Sequence, residues 1–174
     1  AWLPGTEGGH GVMDVLTVKV NPSGKLPMSF PYCVGQCPVY YNEFSTGRPW
    51  YEGNKRPYAS KYLDIPNKPL YPFGYGMSYT AFDISPVALD RTEMEADEAV
   101  TAKVTVKNAG KLPGTEMVQL YIRDVAASVV RPVRELKGFE KVELMPGEER
   151  EVSFRIDEEM LSFIRADGTL GSEP

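Results

Sequence analysis

Few residues of this 174-residue chain have the types and spacing that acid–base or nucleophilic chemistry requires. Glu7 lies in the glycine-rich loop PGTEGGHG, which also contains His10, the only histidine. A Ser-His-Asp triad would have to include His10, and nothing around it indicates one. The position after two glycines favours a helix N-terminus for His10, and a carboxylate in a loop does not by itself identify a catalyst. We therefore assign no catalytic role to either Glu7 or His10.

The only two cysteines, Cys33 and Cys37, are four positions apart. Zinc would need two further ligands, and the chain has one histidine, so we expect no metal site. A disulfide across so short a loop is an alternative in an oxidising compartment, if the geometry allows it. We expect two free, partly buried thiols, and no cofactor.

Aromatic and basic residues alternate between Glu43 and Tyr62. Aromatic faces stack on pyranose rings, and arginine can donate paired hydrogen bonds to sugar hydroxyls. Arg48 and Trp50 are the residues of this segment that we expect closest to a substrate. Rigid packing of the aromatics along a linker is the competing interpretation, and the residue types favour it.

The overall composition excludes several classes of function. Hydrophobic residues make up 42% of the chain and charged residues 25%, so it can bury a core. The formal net charge is −5, and no Lys/Arg cluster is dense enough for a run of phosphates, which argues against nucleic acid. No apolar run approaches the roughly 20 residues that cross a bilayer. We expect a soluble chain without a membrane contact, whose export signal, if any, would precede Ala1.

Residues 1–31 contain the pattern of a loop, a helix and a strand. Apolar residues at helical spacing share one face: Val12, Val15 and Leu16. Asn21-Pro22 closes the helical segment. Alternating apolar residues then predict a strand that ends at Pro31: Leu26, Met28 and Phe30. Thirty residues cannot form an α/β domain alone, so we interpret 1–31 as the end of a larger one.

Residues 32–79 are rich in Tyr, Pro, Gly and Asn and show no sustained period. This composition predicts an extended, aromatic linker that lies along a larger body. The chain starts at Ala1 without a methionine, which suggests a piece of a longer protein.

Apolar and polar residues alternate with a period of two after Tyr79, which predicts five strands. The predicted strands cover 81–89, 100–106, 118–122, 136–144 and 152–156. Turn sequences follow the second and fourth strands: Asn108-Ala109-Gly110 and Met145-Pro146-Gly147-Glu148. Short strands at this spacing predict an antiparallel β-sandwich. Because the region has no cysteine pair and no core Trp, a fibronectin-like sandwich fits better than an antibody-type one.

The stretch PFGYGMSY, residues 72–79, predicts a rigid aromatic turn directly before the β region. Proline fixes φ, and the two glycines permit backbone angles that other residues resist. The aromatic rings can anchor the turn to a neighbouring surface. We expect six residues to seat the β domain as a hinge: Pro72, Phe73, Gly74, Tyr75, Gly76 and Tyr79. A well-packed loop without a recognition role is the alternative.

Four stretches resemble, in this order, the C-terminal part of glycoside hydrolase family 3 enzymes: AWLPGTEGGHGVMDVLTVKVNPSGKLPMSFP, YASKYLDIPNKPLYPFGYGMSYTAF, VKNAGKLPGTEMVQLYIRD and RPVRELKGFEKVELMPGE. The resemblance spans nearly the whole chain and is strongest to bacterial β-glucosidases of the periplasmic type. It implies a (β/α)₈ barrel, an α/β sandwich, a linker and a fibronectin type III-like domain. Residues 1–31 would end the α/β sandwich, 32–79 would be the linker, and 80–174 the fibronectin-like domain.

The resemblance also implies where catalysis occurs. Retaining glycosidases use two carboxylates about 5–5.5 Å apart. In this family the nucleophilic Asp lies in the barrel and the usual acid/base Glu lies upstream of the PGTEGG loop, so this chain contains neither. By resemblance Glu7 lies in a structural loop near the active-site side. We therefore expect no catalytic residue in this chain, and a substrate-proximal place for Glu7 at most.

The resemblance further indicates partners and compartment. It implies contact with upstream catalytic domains, and with β-glucosides or related oligosaccharides through the intact enzyme. It favours a periplasmic or secreted location. Relatives continue beyond Gly171-Ser172-Glu173-Pro174 with another strand, so we expect a sandwich without its last strand, with self-association through an open edge as one outcome. A stand-alone sandwich that binds carbohydrate or protein is the alternative function.

Overall fold

A computed structural model describes residues 3–173 of the chain. Helix is confined to α1 (Gly8–Leu16), a three-residue 3₁₀ helix (Val34–Gln36) and α2 (Glu158–Leu161). The strands are β1 (Phe82–Ile84), β2 (Ala88–Leu89), β3 (Ala99–Asn108), β4 (Gly114–Ile122), β5 (Glu135–Leu144), β6 (Glu149–Asp157), β7 (Phe163–Ile164) and β8 (Leu170–Gly171). The predicted fold, mainly β with antiparallel sheets, is confirmed.

Strand β3 is the centre of a four-stranded antiparallel sheet. β6 pairs along one edge, with Ala99 opposite Asp157 and Lys107 opposite Glu149. β1 and β2 share the other edge, because both pair with β3. β4 and β5 form a second antiparallel sheet with an irregularity at Leu120, and β7 pairs with β8.

The core lies between these two larger sheets and consists of β-branched and leucine side chains. Its buried members are Val106 of β3, Val118 of β4, Val142 and Leu144 of β5 and Val152 of β6. Phe82, Val104 and Phe154 pack against them. These positions alternate along each strand, as the two-residue period predicts for a sheet with one buried face.

Two predicted strands differ from the structure. The segment 81–89 forms two short strands with Pro86 between them. Residues 26–30 form no strand, and the pairing of Phe30 with Tyr71 is an isolated bridge. The pairing is interrupted between Leu26 and Phe30, where the Phe73 N–H donates to the Ser29 side chain at 3.1 Å instead of to a backbone carbonyl.

The thiols also differ from the prediction. Cys33 and Cys37 are free, as expected, but both are exposed instead of partly buried. The intervening 3₁₀ helix turns Gln36 inwards, where its amide donates to the carbonyl oxygens of Pro66 and Lys68 at 2.8 and 3.3 Å. Because Gln36 is the buried residue of this turn, the flanking cysteines face outwards.

Helix α1 has no buried residue in this structure. The apolar residues Val12, Met13 and Leu16 are 44%, 54% and 66% exposed. An amphipathic helix gains most of its stability by covering its apolar face, which α1 leaves open here. None of the helices within 3–173 is long and apolar enough to span a membrane.

Candidate functional site

The turn at residues 72–79 is paired with the segment before the linker. The Gly74 N–H donates to the Leu26 carbonyl and the Leu26 N–H donates to the Tyr75 carbonyl, both at 2.8 Å. The Phe73 N–H donates to Ser29 Oγ at 3.1 Å. The turn is therefore held by residues more than 40 positions earlier in the chain.

Gly74 also touches the β4–β5 sheet. Its φ is +79°, and a Cβ there would lie 2.3 Å from Gln119 Oε1 and 2.8 Å from the Tyr121 hydroxyl oxygen. The Gln119 amide donates to the Gly74 carbonyl at 3.2 Å, and the Tyr121 hydroxyl donates to Gln119 Oε1 at 2.6 Å. Only glycine meets both the angle and the close approach.

Aromatic stacking holds the same turn. The Phe73 ring stacks on Tyr41 with centroids 4.1 Å apart, and Tyr41 meets Tyr121 edge-on at 6.1 Å. Tyr75 stacks on Tyr71 at 5.1 Å. The rings thus join the turn to the linker on one side and to β4 on the other, in the offset and edge-on arrangements that aromatic pairs prefer.

Asn21 connects three parts of the chain. Its amide nitrogen donates to the Pro113 carbonyl at 2.9 Å, just before β4. Its Oδ1 accepts from Ser78 Oγ and the Tyr79 N–H at 2.9 and 2.8 Å. The Tyr79 hydroxyl then donates to the Val15 carbonyl in α1 at 2.9 Å. One side chain therefore ties the end of the first segment, the hinge and the sandwich together.

The contacts of the 72–79 turn and of Asn21 with residues 15–29, with Tyr41 and with β4 together form a joint. Burial changes the acidity of one of its groups, the Tyr121 hydroxyl. Loss of solvent, together with the nearby Tyr41, raises the pKa of the Tyr121 hydroxyl, and the positive charge of Arg134 opposes the shift. The hydroxyl therefore stays protonated and keeps its hydrogen bond to Gln119.

Trp50 lies between two open pockets of the linker. One pocket, of about 360 Å³, is lined by carboxylate, hydroxyl and amide side chains with Trp50. The other, of about 410 Å³, shares Trp50, Glu43 and Asn67 with it and adds Tyr40, Tyr41 and Tyr51. An aromatic face flanked by hydroxyl, amide and carboxylate groups is suited to a sugar ring.

The other substrate-proximal predictions lie elsewhere. Arg48 lines a third pocket, with Tyr51 and Arg56, and does not line either Trp50 pocket. Glu7 lies at the start of α1, where its Oε2 is 2.8 Å from His10 Nδ1 and its side chain is 83% exposed. The structure therefore does not bring Glu7, Arg48 and Trp50 into one site, and their place near a substrate stays a prediction.

Three residues of the joint were not identified from sequence: Asn21, Tyr41 and Gln119. Asn21 was recognised only as part of a helix-closing Asn-Pro pair. Tyr41 is one of ten tyrosines, and Gln119 is a polar position in an alternating strand. No local pattern marks these residues, because each acts through a partner more than 30 positions away.

Two family models match this chain, one in its N-terminal half and one in its C-terminal third. The model of the glycosyl hydrolase family 3 C-terminal domain matches residues 1–79, and that of a fibronectin type III-like domain matches residues 116–174. A periplasmic β-glucosidase of Salmonella typhimurium is 52% identical over 173 residues, which are 99% of this chain and 23% of that protein. A β-xylosidase of Formosa agariphila is 42% identical over 166 residues, 95% of this chain and 22% of that protein.

Solved structures give the same relationship. A β-glucosidase from Listeria innocua, crystallised with isofagomine, superposes with a TM-score of 0.94 at 49% identity, over 99% of this chain and 24% of that one. The same enzyme has been solved with glucose. This chain thus spans about a quarter of the length of the relatives it matches. The chain belongs to glycoside hydrolase family 3 and corresponds to the C-terminal part of its β-glucosidases, with a fibronectin type III-like domain.

Proposed function

We propose that this chain is the non-catalytic C-terminal part of a β-glucosidase-like enzyme. The intact enzyme would hydrolyse terminal, non-reducing β-D-glucosyl or xylosyl residues with retention, using a nucleophilic Asp and an acid/base Glu upstream of this chain. Residues 3–173 would complete and brace the catalytic domains. The similarity to a periplasmic β-glucosidase favours a periplasmic or secreted enzyme.

The observation that carries the proposal is the combination of an uncovered helix with a tightly bonded joint. The apolar side of α1 is exposed, including Leu16 at 66%. The helix is also tied to the sandwich: the Tyr79 hydroxyl donates to the Val15 carbonyl, and Asn21 bonds to both the Tyr79 N–H and the Pro113 carbonyl. A helix held rigidly to one domain while it presents apolar side chains outwards is suited to dock on a second domain.

The bracing role depends on how firmly the two parts of this chain are joined. The hinge residues Pro72 to Tyr79 contact the first segment, the linker and β4 within one turn. Such a joint would couple the position of α1 to the fibronectin-like domain, because the same turn is hydrogen-bonded to α1 and to β4. We infer that the fibronectin-like domain stabilises the α/β sandwich through this joint.

A second candidate is a stand-alone sandwich that binds carbohydrate. The two open pockets around Trp50 favour it, since they combine an aromatic face with hydroxyl and amide groups. Affinity of the isolated chain for a β-glucan, abolished by Trp50→Ala, would support this candidate.

A complementation experiment distinguishes the two. The Listeria innocua β-glucosidase, shortened by the part that this chain matches, is mixed with this chain and assayed with an aryl β-glucoside. We expect no activity from either partner alone and recovered activity in the mixture. Leu16→Asp should abolish recovery, whereas Val87→Asp, a control of similar exposure (61%) on the sandwich, should not. Equal loss with both variants, or no recovery with the unmodified chain, would contradict the bracing role.

A further inference from the structure

The linker carries a concentrated positive charge that the proposed function does not use. Residues 47–62 contain four basic side chains and one carboxylate, in a chain whose formal net charge is −5. Two of the four, Arg48 and Arg56, line the same open pocket of about 360 Å³. Within 3–173, neither guanidinium has a carboxylate within ion-pairing distance. Both are therefore available to a ligand.

Two tyrosines complete the pocket. Tyr51 and Tyr58 line it together with the two arginines, and they are 59% and 85% exposed. Neither ring stacks on an arginine or on another aromatic ring in the described part of the chain. The pocket thus offers two free aromatic faces beside two free guanidinium groups.

The loop that carries these groups is braced by its own hydrogen bonds. The Asn54 amide donates to the Pro49 carbonyl at 3.2 Å and its Oδ1 accepts from the Arg56 N–H at 2.8 Å. The Ser60 N–H donates to the Arg48 carbonyl at 2.9 Å, which closes the loop. The backbone positions of both arginines are therefore fixed across the pocket before a ligand arrives, which lowers the entropy cost of binding.

Tyr58 adopts an unusual backbone conformation. Its φ is +61°, in the left-handed region that non-glycine residues rarely enter. Such strain in an exposed aromatic residue gains nothing from burial, and strained residues concentrate at binding sites. The Tyr58 side chain lines the pocket and is 85% exposed.

We propose that this pocket, defined by Arg48, Tyr51, Arg56 and Tyr58, binds a sugar that bears a carboxylate, such as a β-linked uronic acid. Guanidinium groups bind carboxylates through paired, charge-assisted hydrogen bonds, and tyrosine faces stack on pyranose rings. A neutral sugar would leave the positive charge uncompensated, and a simple anion would leave the aromatic faces unused. The inference goes beyond the proposed function and does not depend on it, since binding is measured on this chain itself.

The test is calorimetric titration of the chain with methyl β-D-glucuronide, and with methyl β-D-glucoside and acetate as matched neutral and ring-free probes. We expect the glucuronide to bind at least about tenfold more tightly than either probe. Arg48→Gln with Arg56→Gln should weaken binding about tenfold or more. The matched control is Lys55→Gln, which removes a charge from the same loop but does not line the pocket, and should change the affinity less than about twofold.

A second pair of variants tests the aromatic contribution without disturbing the loop. Asparagine tolerates the left-handed region, so Tyr58→Asn removes the ring and keeps the backbone. It should weaken the glucuronide several-fold and leave acetate unchanged. Equal binding of glucuronide and acetate, equal loss with Lys55→Gln, or no measurable glucuronide binding by a chain with unchanged circular dichroism would overturn the proposal.

Discussion

Lys25 Nζ lies 2.7 Å from Glu116 Oε1, and the two side chains are only 16% and 14% exposed. Lys25 belongs to the segment before the linker, and Glu116 lies in β4 of the fibronectin-like domain. The ion pair therefore crosses the joint next to Gly76, whose Cβ position would lie 2.7 Å from the Lys25 side chain. Because both side chains are largely buried, removal of one partner leaves the other charge without compensation, which destabilises the fold.

Removal of one partner of this pair should cost more than removal of both. Glu116→Leu leaves the Lys25 ammonium group largely buried and unpaired, and we expect a loss of about 1 to 3 kcal/mol in the free energy of unfolding. Lys25→Met combined with Glu116→Leu should lose less than Glu116→Leu alone. Urea denaturation of the two single variants and the double variant measures the coupling. Additive losses would show that the pair does not couple the two segments.

Comparison of Gly74→Ala with a control glycine should separate the energetic cost of a positive φ from the cost of a steric clash. The new Cβ would meet Gln119 and Tyr121 and would also hold a φ of +79°. Gly147→Ala is the matched control, since its φ is +80° and nothing lies within 4 Å of its Cβ position. We expect about 1 to 2 kcal/mol for Gly147→Ala and about 1 to 3 kcal/mol more for Gly74→Ala, by thermal or urea denaturation. Equal losses would mean that β4 does not press on the hinge.

Asn21→Ala should loosen the joint more than it disturbs the sandwich. The variant loses three hydrogen bonds, to the Pro113 carbonyl, the Ser78 hydroxyl and the Tyr79 N–H. We expect a loss of about 1 to 3 kcal/mol and faster proteolysis between residues 17 and 25. Asn54→Ala removes two hydrogen bonds within the linker and serves as the control. Unchanged proteolysis in Asn21→Ala would contradict its role at the joint.

Stability at high pH should depend on Tyr121. Burial raises the pKa of its hydroxyl above the ordinary value near 10, so the folded state holds the proton more tightly than the unfolded state. Its contribution to stability is fully present below pH 10 and is lost as the pH rises through the folded-state pKa. The difference in unfolding free energy between the natural chain and Tyr121→Phe should therefore shrink above pH 10, which urea denaturation over a series of pH values measures. A constant difference for Tyr121→Phe would contradict this.

The effects of substituting Trp50 and Arg48 on substrate binding should be separable in the whole enzyme. Because they line different pockets, Trp50→Ala and Arg48→Ala should act independently on the KM for aryl β-glucosides. If Trp50 contacts the substrate, its loss should raise KM about three- to tenfold with kcat unchanged. An unchanged KM in the double variant would show that neither residue touches this substrate.

Local patterns predicted the strands of the fibronectin-like domain well. The alternation at Val100 to Val106 and Val152 to Ile156 corresponds to β3 and β6, and the turn around Gly147 occurs as expected, with φ +80°. Each of these features depends on residues within a few positions of one another. The predicted strand at Leu26 to Phe30 was wrong, because the Phe73 N–H donates to the Ser29 side chain instead of to a backbone carbonyl, and no local pattern shows this contact.

The sequence by itself determined the family and the β-rich class and predicted a turn at PFGYGMSY, because motif residues and a two-residue period are local properties. Only the tertiary structure decided which residues the turn rests on and that Arg48 lines a pocket with Arg56 and not with Trp50. Asn21 and Pro113 are 92 positions apart, and Leu136 and Tyr41 are 95 apart. Contacts over such distances follow from how whole sheets and loops pack, and no short window of sequence contains both partners.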